Sequence, residues 1–321
     1  MFIRSKGSQL RIFFATDVHG SETCFRKFVN AATAYSANAL ILGGDITGKQ
    51  LALIVNEAGC WRLGAGRTAE KMDSRDALDA ARKRLSARGM YPIVVTAEEE
   101  LLLATDQTAL EERFKRERLE RVESWMNLAE ERLRPLGVPC FVSPGNDDDR
   151  DVGEVIDRAG WVQNPEGKVA DVGGHEMISW GWSNHTPWDT PREQSESDIG
   201  AHLTAMASQV HDYEGAIFNL HCPPYQSGLD SAPELDASLK PIVRGGEIGM
   251  VPVGSTAVRD AIERYQPLLG LHGHIHECRA MKGIGRSICI NPGSDYHTAT
   301  LRGAIVQVSA HKVDAWTLTT G

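Results

Sequence analysis

Five short apolar stretches of this chain each end in a polar side chain that can bind a metal ion or a substrate. LRIFFAT and NALILGG end at Asp17 and Asp45, and PCFVSPG ends at Asn146. GAIFNL ends at His221, and PLLGLHG ends at His274. Short runs rich in Ile, Val, Leu and Phe and bounded by Gly or Pro are typical of buried strands. Because ligands bind at the carboxyl ends of strands in open α/β sheets, the pattern predicts one shared site there.

The segments around these stretches predict an α/β fold. Residues 21–37 follow the first predicted strand with a helical pattern, and Ser21 is a candidate N-cap. Strand, helix and strand in this order are typical of a βαβ unit. Near the C-terminus, RSICINPGS and RGAIVQVSAHKVDAWTLT predict further strands, with a hairpin close to Ala310 and His311.

A long segment at about residues 46–136 separates the second and third of these strands, and it predicts a mostly helical insert. LALIVNEAGCWRL predicts a hairpin, and a charged helix is expected over about 68–87, before a short strand at YPIVV. Thr96 and Glu99 have the spacing of a capping box. A helix dense in Glu and Arg is expected over 106–134, where Pro135 ends it.

Two roles for this segment remain open. It could cover the site, where it would select the substrate or form a dimer contact. It could equally consist of solvated helices that pack outside the core. Its charged faces lack a basic stripe with interleaved aromatic residues, so they do not favour nucleic-acid binding.

The composition is that of an ordinary globular protein with an acidic balance. Hydrophobic residues make up 41% of the 321-residue chain, and the formal net charge is −9. Proteins that bind a nucleic-acid backbone usually carry a basic excess or a basic patch. Nucleic acid is therefore not expected as the main partner.

The cysteines and the N-terminus favour a cytoplasmic protein. The six cysteines are scattered without a C-x-x-C pair, which is typical of reduced thiols. MFIRSKGSQL lacks the apolar region of a signal peptide, so no such peptide is expected. No apolar run approaches the length of a membrane span, and we expect no membrane partner.

The polar side chains at the strand ends form a set of candidate metal ligands. They are Asp17, His19, Asp45, Asn146, His221, His274 and His276. Oxygen donors together with imidazoles suit Mn, Fe, Zn, Ni or Co better than Ca or Mg alone. Each piece alone is common in structural roles, such as a turn at Gly-Gly-Asp. The whole set is too large for one tetrahedral metal and suits two metals that share a bridging carboxylate.

The motifs D-x-H, GGD, GN, an isolated His and GHxH, in this order, resemble those of the calcineurin-like metallophosphoesterases. The resemblance covers the chain from Leu10 to about Val308 and is weakest between Ile46 and Leu136. It implies a four-layer α/β/β/α sandwich of two mixed sheets, in a single domain of residues 1–321 with the insert at about 46–136. SNHTPWDTPRE, HCPPYQSGLDSAPELD and LLGLHGHIHE further resemble a bacterial and archaeal branch of that family.

The resemblance also implies roles for the candidate ligands. Two divalent metal ions, with Mn favoured, would be bound, and Asp45 would bridge them. The first metal would be held by Asp17, His19 and His276, and the second by Asn146, His221 and His274. The implied activity is hydrolysis of a phosphomonoester or phosphodiester of a small substrate by a metal-bridging hydroxide. A homo-oligomer is compatible with this expectation.

The stretch PGNDDD departs from the family pattern. The residue after this Asn is commonly a His that is thought to protonate the leaving group, and here it is Asp147. Asn146 and Asp147 are therefore the candidate catalytic residues. A carboxylate beside two cations stays ionised and donates protons poorly near neutral pH. Either the substrate has a good leaving group, or Asp147 is turned away and another group donates the proton.

The next two carboxylates predict a helix start. Asp148 and Asp149 precede RDVGEVIDRAG, and acidic residues interact favourably with the N-terminal end of a helix dipole.

The second candidate function is that of a scaffold protein and not of an enzyme. A metal-binding scaffold protein of the same fold would retain the ligands with weak or no turnover, and the missing His is the feature that favours it. The complete ligand set favours the enzyme.

Overall fold

Two six-stranded mixed sheets form the centre of the protein in the computed structural model, which describes residues 9–321. The strands of the described residues, in chain order, are β1 (Leu10–Ala15), β2 (Ala39–Gly43), β3 (Gln50–Glu57), β4 (Cys60–Leu63), β5 (Glu70–Met72), β6 (Met90–Val95), β7 (Cys140–Ser143), β8 (Val162–Gln163), β9 (Val169–Val172), β10 (His175–Trp180), β11 (Ile217–Leu220), β12 (Ser231–Pro233), β13 (Val243–Arg244), β14 (Glu247–Ile248), β15 (Met250–Pro252), β16 (Leu269–Leu271), β17 (Ala280–Ile284), β18 (Ser287–Asn291), β19 (Arg302–Ser309) and β20 (Lys312–Thr320).

The α-helices of the described residues lie between groups of these strands. They are α1 (Glu22–Ala34), α2 (Arg75–Ala87), α3 (Ala97–Thr105), α4 (Gln107–Leu133), α5 (Arg150–Asp157), α6 (Glu196–Ala207) and α7 (Thr256–Tyr265). The predicted N-cap of α1 is confirmed, since the Ser21 hydroxyl accepts a hydrogen bond from the Cys24 N–H.

The strand order brings the predicted site-bearing strands together. The first sheet has the order β20-β19-β1-β2-β7-β8, and the second has the order β17-β18-β16-β11-β10-β9. β1, β2 and β7 are parallel neighbours, and β11 and β16 are parallel neighbours in the other sheet. Their carboxyl ends therefore meet at one edge of the sandwich. The predicted C-terminal hairpin is confirmed as β19 and β20.

The predicted four-layer α/β/β/α sandwich is confirmed. The facing sides of the two sheets share one apolar core, which contains Phe14, Phe141, Met177 and Leu269. Helices α1, α4 and α5 cover the outer face of the first sheet. Helices α6 and α7 cover the outer face of the second. Burial of both sheet faces explains why the strands form nearly continuous apolar runs in the sequence.

The predicted insert contains a third sheet as well as helices. Its strand order is β5-β4-β3-β6, with α2 packed on one face and α3 and α4 on the other. The predicted hairpin and the capping box at Thr96 are confirmed. The helix expected from residue 68 begins later, at Arg75, because β5 pairs with β4 and Ser74 caps the helix. The division into one domain with an insert stays a prediction.

Helix α4 connects this segment to the main core. The Trp125 ring is buried and stacks on Phe25 of α1, with ring centroids 4.3 Å apart. Between residues 9 and 321, no helix combines the length and the apolar character that a membrane span requires. The prediction of no signal peptide concerns residues 1–8 and so lies outside the described residues.

Candidate metal centre

The seven predicted ligand side chains lie together at the carboxyl ends of five strands. Asp17 and His19 follow β1, Asp45 follows β2, and Asn146 follows β7. His221 directly follows β11, and the Gly-His-Ile-His turn that carries His274 and His276 follows β16. Five of the seven are buried, whereas His274 and His276 are half-buried. Parallel pairing of neighbouring strands accounts for this convergence.

Two groups of potential ligand atoms share the Asp45 carboxylate. In the first, one ligand atom each from Asp17, His19, Asp45 and His276 lies within 4.8 Å of the others. Asp45, His221 and His274 form the second in the same way. Asp45 Oδ2 lies 3.5 Å from His19 Nε2, and Asp45 Oδ1 lies 3.4 Å from His221 Nε2. One carboxylate therefore faces both groups.

Short contacts also join pairs of potential ligand atoms at the centre. His19 Nε2 lies 3.1 Å from His276 Nε2, and His274 Nδ1 lies 2.7 Å from Asn146 Oδ1. The second contact places the Asn146 amide oxygen beside the second group. Nitrogen and oxygen atoms that converge in this way offer lone pairs to a shared cation.

The hydrogen bonding of His221 fits a metal ion. Its Nδ1 lies 2.8 Å from the Gly43 carbonyl oxygen, which places the ring hydrogen on Nδ1 and the lone pair on Nε2. His221 Nε2 and His19 Nδ1 are buried without a hydrogen-bond partner in the described part of the chain. The Nε2 lone pair faces Asp45 Oδ1 and Asp17 Oδ1, the latter at 3.8 Å. Such a cluster requires a proton or a cation between its members.

Burial and neighbouring charges shift the pKa values of His221 and of the ionisable side chains around it. Burial raises the pKa of Asp45 to about 6, although His221 opposes this shift. Burial acts to lower the pKa of His221, but Asp45 and Asp17 outweigh it and raise that pKa to about 9. Burial and the neighbouring His221 lower the pKa of His274 to about 3. Without metal, a proton on His221 thus offsets one of the two carboxylate charges near neutral pH.

Metal binding is therefore expected to release protons. A histidine must lose its second ring proton before it can bind a metal ion. Metal-free His221 keeps this proton up to a pH of about 9. Affinity for Mn²⁺ should rise with pH as this competition weakens. Calorimetric titration in two buffers of different ionisation enthalpy tests the expectation. Equal apparent binding enthalpies in both buffers would mean that no proton leaves.

The backbone of the ligand loops adopts a conformation that favours glycine. Asp17, His19, Asp45 and His274 have φ values of 52°, 39°, 50° and 67°. Residues other than glycine occupy this left-handed region uncommonly, and they cluster at functional sites. Gly145 has another role, because a Cβ there would collide with the Asp45 carboxylate.

Asp148 is a buried anchor, which corrects its predicted role at the start of a helix. Its Oδ2 accepts hydrogen bonds from the Gly145 and Ile46 N–H groups, at 2.8 and 2.9 Å. Its Oδ1 accepts from the Thr47 N–H and hydroxyl, at 2.8 and 2.7 Å. Helix α5 begins after it, with Asp149 as N-cap. Asp148 thus ties the loop that carries Asp45 to the loop that carries Asn146.

A threonine that the sequence analysis missed orients the Asn146 amide. Asn146 Nδ2 donates to Thr190 Oγ1 at 2.9 Å, and Thr190 Oγ1 donates to Glu193 Oε1 at 2.7 Å. The amide nitrogen is thereby engaged, so the amide oxygen faces His274. Glu193 also accepts from the Thr186 hydroxyl. Thr186, Thr190 and Glu193 lie in SNHTPWDTPRE, whose resemblance to a branch of the family was noted, but the sequence did not show that this stretch contacts Asn146.

Thr190→Val should weaken metal binding at the Asn146 side of the centre by roughly 10-fold or more, as is typical of lost outer-shell partners. Valine keeps the volume of threonine but cannot accept the Asn146 hydrogen bond. Thr186→Val is the matched control, since it removes a hydroxyl from the same Glu193 without touching Asn146. Calorimetric titration with Mn²⁺ measures the difference. Similar affinities for the two variants would contradict the orienting role.

Asp147 lies on the open side of the centre and is paired with a lysine. Its backbone N–H donates to Asp45 Oδ1 at 3.0 Å, and its carboxylate forms an ion pair with Lys49. The Tyr296 ring packs against the rings of His19 and His276, with centroid distances of 4.7 and 5.8 Å. Sequence reasoning singled out neither Lys49 nor Tyr296, because both lie in segments without a recognised motif.

The fold and the centre fit a calcineurin-like metallophosphoesterase, as the sequence motifs suggested. The two mixed sheets, the ligand loops at their shared edge and the buried Asp/His cluster all agree with that class. No protein-family model matches the chain. The chain is similar to an uncharacterized protein of Methanocaldococcus jannaschii, with 30% identity over 152 residues. The match covers 46% of this chain and spans 61% of the length of that relative.

Solved structures share the fold at low sequence identity. One crystal structure matches with a TM-score of 0.57 and 14% identity, over 97% of this chain and 99% of the other. The crystal structure of a Thermus thermophilus protein matches with a TM-score of 0.53 and 14% identity, over 98% and 99% of the two chains. Yfce, a phosphoesterase from E. coli, reaches a TM-score of only 0.31 at 9% identity, over 96% and 98%. That last similarity is too low to carry a functional argument.

Proposed function

We propose that the protein is a metal-dependent phosphoesterase that hydrolyses a phosphomonoester or phosphodiester of a small molecule with two divalent metal ions. The observation that carries the proposal is the position of Asp45 between two groups of ligand atoms. Asp17, His19 and His276 would hold the first ion. Asn146, His221 and His274 would hold the second, and the native metal is proposed to be Mn.

The bound ions would acidify a water molecule and bind phosphate oxygens, which are the roles of a two-metal site in an in-line displacement. Residues of the chain would position the ions and their ligands. Asp45 would hold both ions through its carboxylate, and the Gly43 carbonyl accepts a hydrogen bond from His221 Nδ1, which leaves Nε2 to face the centre. The Thr190 hydroxyl directs the Asn146 amide oxygen inward. These groups are positioned by buried hydrogen bonds, which limits their reorganisation during the reaction.

Proton donation to the leaving group is not assigned to Asp147. Its carboxylate is engaged in an ion pair with Lys49, and the position lacks the histidine that is thought to donate this proton in the family. Substrates with good leaving groups are therefore the proper first probes.

Hydrolysis of p-nitrophenyl phosphate and bis-p-nitrophenyl phosphate tests the function. We expect the Mn-loaded protein to hydrolyse one or both esters. Turnover should be lost when the metal is chelated and should recover when Mn²⁺ is restored. Turnover that persists after complete metal removal would contradict it.

A metal-binding scaffold without turnover is the second candidate. The specific observation that favours it is an aspartate at position 147, where the family commonly has histidine. Tight metal binding without hydrolysis of either ester would support this candidate over the first.

A further inference from the structure

Lys49 brings a positive charge to the open side of the proposed metal centre. Its ammonium forms an ion pair with the Asp147 carboxylate, and the Asp147 N–H in turn bonds to Asp45. The Lys49 side chain is 53% exposed and that of Asp147 is 17% exposed. The ammonium is therefore open to solvent on one side. It has three N–H donors, so donors remain for a further anion beyond Asp147.

The backbone on both sides of Lys49 is fixed. Thr47 is bound to the buried Asp148 carboxylate, and the Gly48 N–H donates to the Tyr91 hydroxyl at 2.9 Å. A Cβ at Gly48 would collide with the Gly89 carbonyl oxygen, so the two chain segments touch there. The residue after Lys49 already belongs to β3, which pairs with β6. Lys49 therefore extends from a rigid base toward the centre.

Lys49 changes the net charge of the site. Two divalent cations with Asp17, Asp45 and a bound hydroxide would leave about +1, and Asp147 would reduce this to about 0. Lys49 restores about +1. A net positive site favours an anion with a high charge, such as a terminal phosphate group near neutral pH.

We propose that Lys49 binds a terminal phosphoryl oxygen and thereby makes phosphomonoesters the preferred substrates. The inference rests on the proposed function and specifies the substrate class of the same site. A monoester has three terminal oxygens and a diester has two. The two metals can bind two of these oxygens, so only a monoester has a third for Lys49. A diester carries an ester group in that place, which an ammonium binds poorly.

The test replaces Lys49 in the Mn-loaded protein. Lys49→Met keeps the apolar stem and removes the charge, and it should weaken the binding of inorganic phosphate by about 10- to 100-fold, since a charge-assisted hydrogen bond is lost. kcat/KM for p-nitrophenyl phosphate should fall by a similar factor, whereas kcat/KM for the bis ester should change by less than about 3-fold. Lys49→Arg should recover most of the phosphate affinity because it retains the charge.

Lys115→Met is the matched control. Lys115 forms an ion pair with Asp151 at comparable exposure, 52%, but it lies on α4 and pairs with α5, whereas Lys49 pairs with the residue after Asn146. This variant should bind phosphate as the wild type does. Thermal melting of all variants checks the fold.

The outcomes separate this inference from the proposed function. Wild-type turnover with an equal loss on both esters in Lys49→Met, or unchanged phosphate affinity, would overturn the role of Lys49 and leave the phosphoesterase standing. Wild-type protein that hydrolyses only the diester would also overturn the role of Lys49 and leave the phosphoesterase standing. Absence of both turnover and phosphate binding in the metal-loaded wild type would overturn both.

Discussion

Asp45→Asn is expected to reduce kcat/KM for aryl phosphate esters by on the order of 10³-fold or more. The two oxygens of Asp45 face the two groups of potential ligand atoms, at 3.5 Å from His19 and 3.4 Å from His221. An amide carries no negative charge and its oxygen is a weaker donor, so it bridges two cations poorly. Steady-state assays at saturating Mn²⁺ measure the loss.

The asparagine substitution isolates the bridging role from folding. Asn tolerates the left-handed backbone that Asp45 adopts, with φ of 50°. Its amide oxygen can still accept the Asp147 N–H hydrogen bond, which is 3.0 Å long in the wild type. Asp151→Asn, on α5 outside the centre, should keep full activity. A folded Asp45→Asn variant with near wild-type turnover would rule out a bridging carboxylate.

Asp148→Ala is expected to destabilise the protein by about 3–5 kcal/mol, because it leaves several buried N–H groups without an acceptor. The carboxylate is fully buried and accepts from Gly145, Ile46 and Thr47. These bonds join the loops after β2 and β7, so metal affinity should fall together with stability. Chemical denaturation measures the free energy of unfolding.

Asp149→Ala is the matched control for Asp148→Ala. Asp149 is the N-cap of α5 without a side-chain capping bond, and its partly exposed carboxylate pairs with Arg118. Its loss should cost less than about 1 kcal/mol. If both carboxylates only interacted with the helix dipole, the two variants would have similar small effects. Equal destabilisation would therefore contradict the anchor role of Asp148.

The sequence predicted the structure correctly where apolar strands end in polar residues. The apolar runs that end at Asp17, Asp45 and His221 became parallel strands of two sheets, and their polar ends converged. The predicted caps at Ser21 and Thr96 are also confirmed, since a cap depends on residues within one turn. Local rules and strand periodicity were sufficient for these features.

The parts that the sequence could not predict depend on contacts between distant segments. Asp148 looked like a helix-start residue because its partners, Ile46 and Thr47, lie about a hundred positions away. Lys49 was not singled out from the sequence, because only the fold places it beside Asp147. The short β5 lies where a helix was predicted, because its pairing with β4 has no local signature. In each case a tertiary contact determined the structure.

Anomalous X-ray diffraction from crystals grown with Mn²⁺ and inorganic phosphate tests the two-metal centre most directly. The account predicts two anomalous peaks about 3.5–4 Å apart, with one Asp45 oxygen or both bound to them. Asp17, His19 and His276 should surround one peak, and Asn146, His221 and His274 the other. A single peak at saturating Mn²⁺, or two peaks that Asp45 does not join, would contradict it.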